Sequence, residues 1–133
     1  MHKEKDLKQL FQQLYHDETA YLTVGGSEIA IRIFDNASKL SLSTQVYFGG
    51  NFIPKSVRAC VAGQSPFSQN SIKTSLQIDE DNFQILLNYL GKVDRLPSEF
   101  FCSLLEEFSW LADEWRLYLD EHDKQDLVYL RVK

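Results

Sequence analysis

LPSEFFCSLLEEFSWLADEWRLYLD, residues Leu96 to Asp120, decides how this chain folds. Phe101, Leu104, Leu105, Phe108, Leu111, Ala112, Trp115 and Leu119 recur at the spacing of one helical face. They build a wide apolar stripe. Glu106, Glu107, Ser109, Asp113, Glu114 and Arg116 fall largely on the other side. Pro97 suits the first turn, where a missing N–H costs nothing. The stretch predicts one long amphipathic helix.

Upstream, Leu7, Leu10, Phe11, Leu14 and Tyr15 repeat at i, i+3, i+4, i+7 and i+8, so residues 3–16 predict a first helix. Glu18–Thr19 breaks that pattern. Ala20–Val24 and Ser27–Phe34 predict a hairpin, with Gly25–Gly26 supplying the positive φ angles of a two-residue turn. Ile29, Ile31 and Ile33 alternate with Glu28, Ala30 and Arg32, the mark of a sheet covered on one side. Leu40, Leu42, Val46 and Phe48 alternate with Ser41, Ser43, Gln45 and Tyr47 in a third strand that ends at Gly49–Gly50. A short helix is expected over Pro54–Ala62, stopped by Gly63 and Pro66. Ile72, Thr74, Leu76 and Ile78 alternate into a fourth strand. Phe83–Val93 fits a strand and a helix equally well, and the polar turn Asp79–Asn82 before it favours a strand. Leu127–Val132 reads as a final extended piece.

Length and composition narrow the function. At 133 residues the chain is expected to be one domain, 1–133, able to bury a core without metal or disulfides. Its net charge of −5 repels phosphate backbones, so direct nucleic-acid binding is not expected. Lys3, Lys5 and Lys8 alternate with Glu4 and Asp6 and read as a solvated helix face. Cys60 and Cys102 form no CxxC pair and read as buried free thiols of a reducing compartment. No apolar run reaches the roughly 20 residues that span a bilayer, and the charged Met1–Asp17 is not a signal peptide. Membrane insertion is therefore not expected.

No catalytic constellation is legible. His16, Asp17 and Glu18 are adjacent on a helix end and do not converge on one point. Cys60 has no identifiable base or cation to lower its pKa. The glycine pairs do not open a GxxxxGK[ST] loop, so no phosphate cradle is present. Catalysis, a cofactor and a bound metal are therefore not expected.

The element order is an α+β one: helix, three antiparallel strands, short helix, two strands, long C-terminal helix. With EEFSWLADEWRLYL, Glu106–Leu119, and AGQSPFSQNSIKTSLQIDEDNFQILLNYLG, Ala62–Gly91, it resembles the class I chaperones of type III secretion systems over roughly residues 3–120. The resemblance makes Phe83–Val93 a strand. It implies a bacterial cytoplasmic protein that holds the non-globular segment of a secreted effector or gatekeeper protein. A sheet edge would accept a client strand. A groove would set Leu7, Leu10, Phe11 and Leu14 opposite Leu22, Val24, Ile29, Ile31 and Ile33. Val57, Val61, Leu76, Ile78, Ile85 and Leu87 would meet a second subunit. The weak short helix and the C-terminal Leu127–Lys133, within an extension over residues 121–133, depart from the family pattern and point to a heterodimer with a second class I subunit. The family's coupling to transcription adds RNA polymerase or a sigma factor as an alternative partner. The acidic residues Asp113, Glu114, Asp120, Glu121, Asp123 and Asp126 would face it.

Overall fold

A computed structural model describes residues 12–14, 16–34, 38–63, 65–67, 72–92 and 99–132. Residues 12–14 and 16–17 are helical. The rest of the expected first helix, with Lys3, Lys5, Leu7, Lys8, Leu10 and Phe11, lies outside the described residues, as does Pro97. Glu18 N–H donates to Leu14 O (2.8 Å), and Glu18 stands at φ 62, a left-handed residue that ends the helix. Its carbonyl then accepts from Ile33 N–H, which delivers the chain into the sheet.

The sheet comprises β1 (Thr19–Val24), β2 (Ser27–Phe34), β3 (Lys39–Phe48), β4 (Thr74–Asp79) and β5 (Gln84–Lys92), in the order β1-β2-β3-β5-β4. Every pairing is antiparallel. Helix α1 (Lys55–Ala62) links β3 to β4, and α2 (Glu99–Val132) closes the chain. Of the ambiguous segment Phe83–Val93, Gln84–Lys92 is strand, Phe83 ends the preceding turn at φ 53, and Val93 lies outside the described residues. The expected extended piece Leu127–Val132 is instead the last two turns of α2: a short apolar run carries no period of its own and continues the helix it follows.

One face of the sheet is inward. It carries Ala20, Ile29, Ile31, Ile33, Leu40, Leu42, Ile85 and Leu87, all buried. Against it α2 lays its whole stripe, and Phe101, Leu104, Leu105, Phe108, Leu111, Ala112, Trp115 and Leu119 are all buried. Val57 of α1 joins the same core, with Ile53 just ahead of the helix. Each large side chain so enclosed contributes roughly 1.5–3 kcal/mol. Phe67 packs edge-on to Trp115 (5.1 Å, 82°) and to Tyr118 (6.0 Å, 78°), pinning the α1–β4 connection to α2. Cys60 and Cys102 are free thiols and half-buried; burial pushes the Cys60 thiol pKa up.

Three details depart from the sequence reading. Gly25 alone of the first glycine pair has positive φ (60), as a turn with glycine in its first central position needs. A Cβ there would stand 3.2 Å from Ser109 Oγ. Ser109, expected on the polar side of α2, is buried because its hydroxyl donates to Val24 O (3.0 Å) and fastens this turn to the helix. In β3 a bulge between Gln45 and Tyr47 interrupts the alternation. Val46 and Tyr47 are both buried, and Phe48 is turned out to 62% exposure.

The β4–β5 turn is held by polar contacts. Asn82 and Gln84 amides each donate to Asp79 Oδ2 (2.8 Å), and Arg58 reaches both Glu80 oxygens (2.8 Å each) from α1. The Asn82 amide, then that of Gln84, holds the Asp79 carboxyl below the ordinary carboxylate range; Arg58 does the same for Glu80. A depressed carboxylate stabilises the fold above its unfolded pKa and loses that contribution as pH falls through its folded pKa. Carboxyl NMR titration should therefore find both groups titrating low, with Asn82→Ala returning Asp79 toward its ordinary value. Trp115→Ala should cost about 3–5 kcal/mol in urea unfolding, because the indole is enclosed and its loss leaves a cavity.

Candidate functional site

Strand alternation sends every second residue to the sheet's outer face. The register aligns Tyr21 with Ala30, Ala30 with Ser43, Ser43 with Asn88, and Asn88 with Ser75. One row over, Gln45 pairs with Leu86, and on the opposite side Ser41 pairs with Leu90. The central strands thus present small side chains, Ala30, Ser41 and Ser43, between larger ones. Tyr21 stands 62% exposed and Leu90 64%, with Leu86 half-buried. Among the described residues no element lies over this face.

Small residues flanked by large ones leave troughs. Two shallow depressions, about 530 and 500 Å³, share Ser43. The first is lined by Tyr21, Glu28, Ala30, Gln45, Leu86 and Arg116. The second is lined by Ser41, Ser75, Asn88, Leu90 and Lys73. Polar walls come from Asn88 Nδ2, which donates to Gln77 Oε1 (2.9 Å), and from Gln45 Nε2, which donates to Gln84 Oε1 (2.7 Å). Arg32 stacks over Phe34, with its guanidinium carbon 5.7 Å from the ring centroid.

The β3 bulge shapes one end of this surface. Beside it Arg116 of α2 reaches round to donate to the Gln45 carbonyl from Nε (3.2 Å) and Nη2 (2.9 Å). The guanidinium is oriented by Asp113, whose Oδ1 accepts from Nη1 (2.9 Å). Arg116 therefore joins the helix to the open side of the sheet. Sequence reading placed it only on a polar helix face.

The two outer strands offer a second kind of surface. Among the described residues β1 and β4 each pair on one side only. An unpaired strand edge is a template for another chain.

The residues expected to bind a client separate into two groups. Leu14, Ile29, Ile31 and Ile33 are core side chains between sheet and α2. Leu22 and Val24 are half-buried at the β1 edge. The residues expected at a subunit contact divide likewise. Val57, Ile85 and Leu87 are buried, whereas Val61, Leu76 and Ile78 are half-buried along α1 and β4. Val61, Leu76 and Cys60 line a further depression of about 290 Å³ beside Trp115. Among the described residues no three His, Cys, Asp or Glu side chains are grouped to hold a metal ion, and no helix is long and apolar enough to cross a membrane. His16, Asp17 and Glu18 are all exposed.

No protein-family model and no curated protein sequence matches the chain. Solved structures do. A chain of the ExsC–ExsE complex is similar at TM-score 0.61 and 16% identity, over 87% of this chain and 94% of that one. A chain of the HopA1–SchA chaperone–effector complex follows at TM-score 0.57 and 14% identity, over 82% and 91%. The heterodimeric ExoU–SpcU complex from the type III secretion system of Pseudomonas aeruginosa is similar at TM-score 0.54 and 17% identity, over 80% and 83%. The fold is that of class I type III secretion chaperones.

Arg116→Met keeps the stem's packing but leaves the Gln45 carbonyl without its donor. It should lower stability by roughly 1 kcal/mol in urea unfolding.

Proposed function

We propose that this chain is a type III secretion chaperone that holds the non-globular segment of a secreted effector or gatekeeper protein in the cytoplasm of a bacterium. The observation that carries the reading is the outer face of the sheet on this fold, over which no element lies among the described residues. It combines small central residues with exposed Tyr21, Leu90 and half-buried Leu86, beside a strand edge at β1. Similar folds occur in complexes named for a chaperone and its effector, which supports the same role here.

An extended client has unsatisfied backbone groups and scattered apolar side chains. The β1 edge can accept the first, with Leu22 and Val24 beside it. The troughs can take the second. Ordering such a segment costs several kcal/mol, so the client must cover a large area, and a long shallow surface serves this better than a deep pocket. No nucleotide is required for binding of this kind. The core residues Leu14, Ile29, Ile31 and Ile33 act from below by fixing the sheet's shape. Leu7, Leu10 and Phe11 belong to the proposal on their helical spacing.

A second class I subunit would dock along α1 and β4, where Val61, Leu76 and Ile78 remain half-open. Val57, Ile85 and Leu87 would support that contact from the core. The chain would act as one domain, 1–133, with residues 121–133 as its C-terminal extension.

Co-expression with effectors and gatekeeper proteins of the host's secretion system, followed by co-purification and limited proteolysis, tests the assignment. The chain should protect one client's non-globular segment. Leu86→Asp with Leu90→Asp should weaken capture at least about tenfold, as loss of central apolar anchors does. Its melting should stay near wild type, because Leu90 is exposed and Leu86 half-exposed. Protection of no client, or undiminished capture by the double variant, would defeat it.

A further inference from the structure

The solvent side of α2 carries apolar side chains that neither the core nor the outer sheet face uses. Trp110 is 50% exposed and Leu117 67%. Seven residues separate them, which is two helical turns, so they stand about 10 Å apart along the axis. They also lie within about 20° of one line down the helix. Around that line Asp113, Asp120 and Glu121 are exposed, with Lys124 the one base beyond them on the described part of this face. Asp113 is engaged by Arg116, whose guanidinium is directed away to the Gln45 carbonyl. The line therefore reads as two large apolar side chains bordered by carboxylates.

Exposed apolar residues scattered singly need no explanation. Two in helical register are different, because a facing helix meets them both at once. Tryptophan is also among the side chains most enriched at the energetic centres of protein interfaces. The border fixes the partner's chemistry. A helix whose apolar stripe met Trp110 and Leu117 would bring its flanking positions over carboxylates, and only lysine or arginine there gains from the contact. An acidic or phosphorylated partner is repelled.

We propose that the outer face of α2 docks a basic amphipathic helix of a partner protein, with Trp110 and Leu117 as apolar anchors and the surrounding carboxylates setting its charge. The surface lies across the body of the molecule from the sheet face assigned to the client. The chain could then hold a client and this partner together. The proposal does not depend on the chaperone reading.

A set of synthetic 18-residue helical peptides tests it. Each carries leucines seven residues apart, flanked by lysine and arginine or, in twin peptides, by glutamate at the same positions. Binding of labelled peptide to the full chain is read by fluorescence anisotropy. Basic peptides should bind, more weakly as salt rises, and their glutamate twins should not. Trp110→Ser with Leu117→Ser should reduce affinity at least about tenfold, and Asp120→Lys with Glu121→Lys should do likewise. All four positions are exposed, so circular dichroism and melting should be unchanged. The sheet-face variant Leu86→Asp with Leu90→Asp should keep peptide binding, which separates failure here from failure of client capture. Any one of the following results overturns the proposal. In one, no basic peptide binds. In another, the twins bind equally or the serine variant binds undiminished. In the third, sedimentation shows that this face pairs two copies of the chain and that Leu117→Ser dissolves the pair.

Discussion

Helix α2 lies along one side of a five-stranded sheet, with Leu14 and Val57 joining it in the core, and the rest of the molecule follows from that contact. The stripe from Phe101 to Leu119 matches the inward residues of β1, β2, β3 and β5. Burying these side chains together is the main favourable term, since apolar area removed from water scales with the surface they share. The polar contacts around this core are placed where the covalent geometry would otherwise leave a backbone group unpaired. Ser109 answers the carbonyl of Val24 at the first hairpin, and Arg116 answers that of Gln45 at the bulge. Thr44, buried within β3, places its hydroxyl on Glu28 O (2.9 Å). The Ser109 and Thr44 bonds are part-buried and satisfy groups whose isolation would cost about 1–3 kcal/mol.

Sealing one side leaves the other available. A sheet covered on both faces would need apolar runs in every strand. Here Ser41, Ser43, Ser75 and Asn88 hold the outer positions, so the open face tolerates water, while Tyr21, Leu86 and Leu90 keep apolar area in reach. The surface is neither dry enough to demand a permanent cover nor polar enough to refuse one. That intermediate character suits reversible contact with an unfolded segment better than the irreversible joining of two cores.

The sequence is most informative where one period dominates. The spacing from Phe101 to Leu119 leaves no alternative to a helix, and the alternation of Ile29, Ile31 and Ile33 fixes both strand and face. It is less informative where two periods compete. Residues Ile85–Leu90 are nearly all apolar because β5 is central and contributes side chains to both faces, and this erases alternation. The same run was a readable sign that the outer face holds apolar residues. The bulge was not readable. One extra residue in β3 reverses the direction of Tyr47 and Phe48, and a propensity pattern carries no mark of it. Ser109 was hidden for another reason: its partner, Val24 O, is a backbone atom 85 residues away in sequence.

The strand order has a consequence for how the molecule is made. β1, β2 and β3 form a meander of neighbours, and β4 with β5 forms a hairpin, so each can assemble locally. The sheet is completed only when Lys39 meets Lys92 and Phe48 meets Gln84. Joining such distant partners is slow, because chain closure must be met before the contacts reward it. During synthesis the free side of β3 stays an unpaired edge until residues 84–92 have left the ribosome. The nascent chain therefore passes through an interval of exposed backbone of the same kind that the finished protein would cover in another.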